Sequence, residues 1–181
     1  MKMFKKIMAV ALTAAMAVSM LSGCAFTDKL KNDHVLDAIG DVASTYVKKN
    51  ENTKVETVKF ESKSSLNTEL KNLLKDATAE DIATKYEDGM VTDDGKYIVT
   101  AVEVEKSTSS VSDFKNYALE LLAGLYQEDN GKTVNVKADL STDGKTATVK
   151  AGVKVDGFKN TKTNKTVYYA IVLVEVEAKA V

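Results

Sequence analysis

Between Tyr168 and Val174 the chain reads Tyr-Tyr-Ala-Ile-Val-Leu-Val, with no charged residue to break it. Alternate residues of a strand point to opposite faces. One face would therefore carry Tyr168, Ala170, Val172, Val174 and Val176, and the other Val167, Tyr169, Ile171 and Leu173. An antiparallel sheet usually leaves one face to water. A strand spanning Thr166 to Lys179 that is apolar on both faces therefore belongs in the middle of a sheet, with something covering each side. Two coverings are open: helices on one side and the curled sheet on the other, or an apolar ligand pocket bordered by Tyr169, Ile171 and Leu173.

The rest of the chain supplies partners for that strand. Leu36, Ile39, Val42, Ala43, Tyr46 and Val47 recur at spacings of three and four, which predicts an amphipathic helix from about Thr27 to Lys49. Thr53 to Phe60 reads as a strand. Leu66, Leu70, Leu73, Leu74 and Ala77 form a second helical stripe, and Thr78-x-x-Asp81 caps a short helix bearing Ile82 and Tyr86. After the turn Asp93-Asp94-Gly95, Lys96 to Glu105 is a strand rich in Val, Ile and Tyr. Ser110-x-x-Asp113 caps a further helix whose apolar side carries Phe114, Ala118, Leu121 and Leu125, up to Asn130-Gly131. Val134 to Leu140 and Ala147 to Val155 then alternate around Ser141-Thr142-Asp143-Gly144, the pattern of a hairpin. The order predicts an α+β domain: an antiparallel β-sheet of about five strands with about three helices packed on one face. It resembles the cone-shaped NTF2-like and cystatin-like folds in element order, and that likeness implies no function.

The N-terminus reads as an address. Lys2, Lys5 and Lys6 precede an apolar run from Ile7 to Met20, shorter than the about 20 residues of a membrane span. Leu21-Ser22-Gly23-Cys24 follows, and this segment resembles the lipobox of bacterial lipoproteins. The resemblance implies cleavage between Gly23 and Cys24, lipid on the Cys24 sulfur, and a protein held on the extracytoplasmic face of a bacterial membrane. More than one acyl chain matters, because a single myristoyl-sized chain binds only marginally. The implied organisation is a signal peptide at 1–23, a lipidated N-terminus and tether at 24–33, and one domain at 34–181. Ten extended residues reach at most about 35 Å, so the domain would sit close to the lipid.

Charge narrows the partners. Loss of Lys2, Lys5 and Lys6 moves the formal net charge from −1 to about −4, with acids and lysines interspersed. That surface disfavours nucleic acid, which needs a basic stripe, and equally a polybasic grip on anionic lipid. Membrane lipid, through acylated Cys24, is the partner implied by the lipobox.

Little in the chain points to catalysis. His34 is the single histidine and Cys24 the single cysteine, so Ser-His-Asp, Cys-His and zinc arrangements lack members. Asp139-x-Ser141-x-Asp143-Gly144 matches the start of an EF-hand loop, but position 12 is Lys150 and the flanks alternate as strands, so it reads as a hairpin loop. Glu103/Glu105 and Glu175/Glu177 are paired carboxylates that either work as a glycosidase pair or pair with Lys137, Lys150 and Lys154 across the sheet. No glycine-rich phosphate loop joins a strand to a helix. The polar loop from Asp156 to Lys165 is a solvated connection by default. No cofactor is called for and no catalytic residue is assigned. The chain reads as a non-catalytic binding or accessory lipoprotein for a peptide, protein or small apolar ligand. The alternatives are a carboxylate-based hydrolase of envelope glycans and a structural envelope component.

Overall fold

A computed structural model of the chain describes residues 28–50, 53–129 and 132–177. The cleavage and lipidation positions, Gly23 and Cys24, lie outside the described residues, as does the signal segment at 1–23. Among the described residues no helix is long and apolar enough to cross a membrane.

Helix α1 (Asp28–Lys48) leads to strand β1 (Thr57–Ser62), followed by helices α2 (Ser64–Leu73) and α3 (Ala79–Tyr86). Strands β2 (Met90–Val91) and β3 (Tyr97–Val104) come next, then helix α4 (Val111–Gly124). The short strands β4 (Gln127–Asp129), β5 (Lys132–Val134) and β6 (Asp139–Leu140) precede the long β7 (Thr146–Lys159) and β8 (Thr166–Glu175). The main sheet has the order β1-β7-β8-β3-β2, with β6 also paired to β7, while β4 and β5 form a separate two-stranded ribbon.

The two-faced strand lies where its pattern puts it. β8 is central, antiparallel to β7 and β3, with Ile171 opposite Lys154 on one side and Ala101 on the other. Ala170 through Val174 are 0% exposed. Ala170, Val172 and Val174 join Ile98, Val102, Val153 and Val155 in a core roofed by Ile39 of α1 and Phe114 and Leu121 of α4. Tyr169, Ile171 and Leu173 join Val99 and Ala101 in a second core beneath Leu66 and Leu70 of α2 and Ile82 and Tyr86 of α3. Each large side chain so buried contributes about 1.5–3 kcal/mol relative to exposure.

The α+β class is as expected, and two details differ. The helices cover both faces rather than one. A helix is about 10–12 Å across and strands are about 4.8 Å apart, so one face of a sheet this wide holds only two helices. The sheet is also mixed rather than purely antiparallel, because β1 runs parallel to β7, Thr57 opposite Thr146 through Ser62 opposite Ala151.

Local chemistry fixes the helix starts. Thr78 Oγ1 accepts the Asp81 N–H (3.2 Å), and the Asp81 carboxylate accepts the Thr78 N–H (2.9 Å). Ser110 and Asp113 make the same reciprocal pair at 3.1 and 3.0 Å. Each box satisfies donors that a helix start leaves orphaned. Side chains also close strand edges. Where β7 runs past the end of β1, Asn67 Oδ1 accepts the Val153 N–H and Asn32 Oδ1 the Val155 N–H, both at 2.9 Å. Ser44 Oγ accepts the Val58 N–H at 2.8 Å. Asn32 belongs to α1.

The hairpin strand expected from Val134 to Leu140 is broken up. Val134 pairs with Gln127, Val136 bridges to Val176, and only Asp139 and Leu140 reach β7, opposite Thr148 and Ala147. β8 already occupies β7 from Ala151 onward, which leaves β6 only the end of that edge, and Leu140 remains 64% exposed.

Candidate functional site

The sheet is incomplete at β3. β2 covers it only at Ile98 and Val99, opposite Val91 and Met90. From Thr100 to Val104, β3 pairs with β8 on its inner side, and among the described residues no strand pairs with its outer side. The Tyr97 carbonyl accepts the Thr92 N–H on the β2 side (2.9 Å), whereas the Lys96 carbonyl accepts the Val176 N–H on the β8 side (2.9 Å). The period of two then turns the N–H and C=O groups of Ala101 and Glu103 outward, Glu103 being exposed and Ala101 2% exposed at the bottom of the recess.

A hollow of about 500 Å³ lies along that stretch. Ala101, Val102 and Glu103 form its floor, Glu87 and Asp88 after α3 form one wall, and Glu120, Ala123 and Gly124 of α4 form the other. Two glycines bring the walls together at one end. Gly89 has φ of 78°, and a Cβ there would lie 1.9 Å from the Gly124 carbonyl oxygen. A Cβ on Gly124 would lie 2.0 Å from Thr100 Oγ1. Gln127 Nε2 clamps the same corner, donating to the Asp88 carbonyl at 3.0 Å and the Gly124 carbonyl at 2.9 Å. Beneath it, Thr100 is 0% exposed and its hydroxyl has no hydrogen-bond partner.

The hollow is acidic. Glu87, Asp88, Glu103 and Glu120 line it, and among the described residues no ion pair neutralises any of them. Burial, helped by the charges of Glu103 and Asp88, pushes the Glu87 carboxyl above its ordinary range. Burial, then the charges of Glu87 and Glu103, push the Tyr169 phenol up to about 12.

The residues singled out in the sequence are dispersed. The three bordering the expected apolar pocket, Tyr169, Ile171 and Leu173, are all buried and packed under α2 and α3. Glu103 lines the hollow. Glu175 lies in a different one, held by Lys63 at 2.8 Å and Lys137 at 3.5 Å, and the Lys63 hydrogen bond leads in lowering its carboxyl. Tyr97 faces Glu175 across the β3–β8 pair, and Glu103 faces Tyr169. That register separates the two glutamates by about 20 Å along the sheet, well beyond the about 5–9.5 Å of glycosidase pairs. Glu105 lies past the end of β3, and Glu177 follows β8, its N–H bonded to the Asn135 carbonyl. His34 donates through Nδ1 to the Ser109 carbonyl at 2.6 Å, tying α1 to the start of α4. Ser141 Oγ donates to Asp143 Oδ1 (2.6 Å), which also accepts the Lys145 N–H (3.0 Å), so these oxygens shape the hairpin turn. Of the loop expected from Asp156 to Lys165, Asp156 to Lys159 instead continue β7 against β8, and the turn that follows is fastened by Glu80, which accepts the Thr161 N–H at 2.9 Å.

Glu87, Asp88 and Glu120 went unnoticed in the sequence. Glu87-Asp88-Gly89 after a capped helix reads as an ordinary polar exit. Only the crossing of α4 over the far side of β3 brings Glu120 opposite it.

Neither a family model, nor a curated protein, nor a solved structure matches the chain.

Proposed function

We propose that the chain is a lipid-anchored extracytoplasmic lipoprotein whose domain binds a peptide or protein segment in the hollow along β3. The observation that carries the binding reading is the open outer edge of β3 at the floor of a hollow between two helices. An exposed edge is normally covered, twisted away or blocked, because unpaired strand groups recruit other chains. This chain caps the edges of β1 and β7 with Ser44, Asn32 and Asn67, and leaves the β3 edge uncapped inside a recess. Anchorage rests on the lipobox and its Cys24.

Photo-crosslinking in intact cells tests the binding site. A benzoylphenylalanine at position 120 should give a discrete adduct that is lost when Asp88→Lys and Glu103→Lys are added. The same probe at position 150, in the other hollow, should not give that adduct. Identical adducts from both positions, or none from position 120, would contradict the reading.

A second reading, a carboxylate-based hydrolase of envelope glycans, draws on Glu87. Its raised carboxyl is the state a general acid needs, and it stands beside Glu103 and Glu120. Release of soluble sugar from purified envelope glycan, abolished by Glu87→Gln, would favour it.

A further inference from the structure

We infer that the bound segment enters as an added β-strand, pairing through its main chain with Ala101 and Glu103, and that it carries lysine or arginine side chains. This rests on the reading of the hollow as a binding site and specifies both the mode of binding and the chemistry of the ligand.

The mode follows from the backbone. Ala101 and Glu103 each present one donor and one acceptor outward, two residues apart along a regular strand, about 6.6 Å. That is the repeat an extended chain needs for successive main-chain pairs, as in strand addition to a sheet edge. The β2 end is closed by the approach of Gly89 to Gly124, so the entering strand is registered from that stop.

The chemistry follows from the walls. Side chains of an added strand alternate between the faces of the sheet. On the α3 side they meet Glu87, Asp88 and Glu103, and on the α4 side Glu120. Cationic side chains complement both walls, and an acidic segment would be repelled by both. A second copy of this chain fits poorly, since its β3 edge would bring another Glu103 and the same acidic walls against these. Attraction of this kind is screened over about 10 Å at 0.1 M salt, so binding should weaken as salt rises.

The test uses the full-length chain in detergent and three capped octapeptides. The first alternates lysine and valine, the second alternates glutamate and valine, and the third is the lysine peptide methylated on every backbone nitrogen. Affinity is read by fluorescence anisotropy, and the site by amide hydrogen exchange across Thr100–Glu105. The lysine peptide should bind at least tenfold tighter than the glutamate peptide and slow exchange at Ala101 and Glu103. Backbone methylation should cost at least tenfold, and Glu103→Gln with Glu120→Gln should weaken the lysine peptide severalfold. Equal affinity for the two charges would overturn the basic ligand. Equal affinity for the methylated peptide, or unchanged exchange at Ala101 and Glu103, would overturn strand addition while leaving the hollow as a binding site. Failure of all three peptides would overturn this inference, and the crosslinking from position 120 then decides the broader reading on its own.

Discussion

At the scale of single residues, the corner beneath the hollow is where the fold gives up stability. Thr100 is fully buried on β3 with an unpartnered hydroxyl, and Gly124 leaves it just enough room. An unsatisfied buried hydroxyl costs about 1–3 kcal/mol, and an apolar group of the same shape removes that cost. Thr100→Val should therefore raise stability by about 1 kcal/mol in urea unfolding, whereas a loss would mean the hydroxyl has a partner. Tyr169 reports the charge of the same site. Its phenol is pushed up to about 12 by burial and by Glu87 and Glu103. A group whose pKa is raised on folding contributes stability that is complete below its unfolded value, near 10, and is lost as pH rises through the folded value. Unfolding followed between pH 10 and about 12 should thus show a steeper loss for the native protein than for Tyr169→Phe. Parallel curves would show that neither burial nor the acidic cluster holds the phenol up in the folded protein.

At the scale of elements, side chains close the edges of β1 and β7, while among the described residues no strand covers the outer side of β3 beyond Val99. The Asn32 and Asn67 caps on β7 and the Ser44 cap on β1 replace ladder bonds that no strand supplies. Asn67→Ala should cost about 1–2 kcal/mol and speed exchange of the Val153 amide, and an unchanged amide would show the cap to be dispensable. Much of this level was legible in the sequence. The apolar run of Tyr168–Val174 placed β8 at the sheet centre, and Thr78/Asp81 and Ser110/Asp113 marked two helix starts that the structure confirms. The parallel pairing of β1 was not legible, because the alternation within Thr57–Ser62 is the same whichever way its neighbour runs. The division of helices between faces was also hidden, since an apolar stripe tells a helix to dock and not on which side. Half of the site was lost for a related reason. Glu103 stood out as a strand-end carboxylate, but its proximity to Glu87, Asp88 and Glu120 arises only when α3 and α4 take opposite faces of β3.

At the scale of the whole molecule, the proposed lipid anchor and the binding edge act together. Such an anchor would confine the hollow to a thin layer at the membrane, where even modest affinity for a neighbouring protein is raised by effective concentration. Cys24→Ala should leave uncleaved precursor or release the chain from acylated membrane fractions, and a chain that stayed acylated would contradict the anchor. With the proposed anchor at Cys24, the described part of α1, which runs from Asp28, lies close behind it in sequence, and the domain should sit near the bilayer surface. Strand addition requires above all that the outer side of β3 be unpaired in the free protein. Residue-resolved amide exchange of the unliganded full-length chain tests that most directly. Thr100, Val102 and Val104, which face β8, should be protected, while Glu103 exchanges rapidly and Ala101, unpaired but 2% exposed, exchanges faster than its two neighbours, giving alternating protection along one strand. Uniform protection from Thr100 to Val104 would mean that the edge is already covered, and would contradict it.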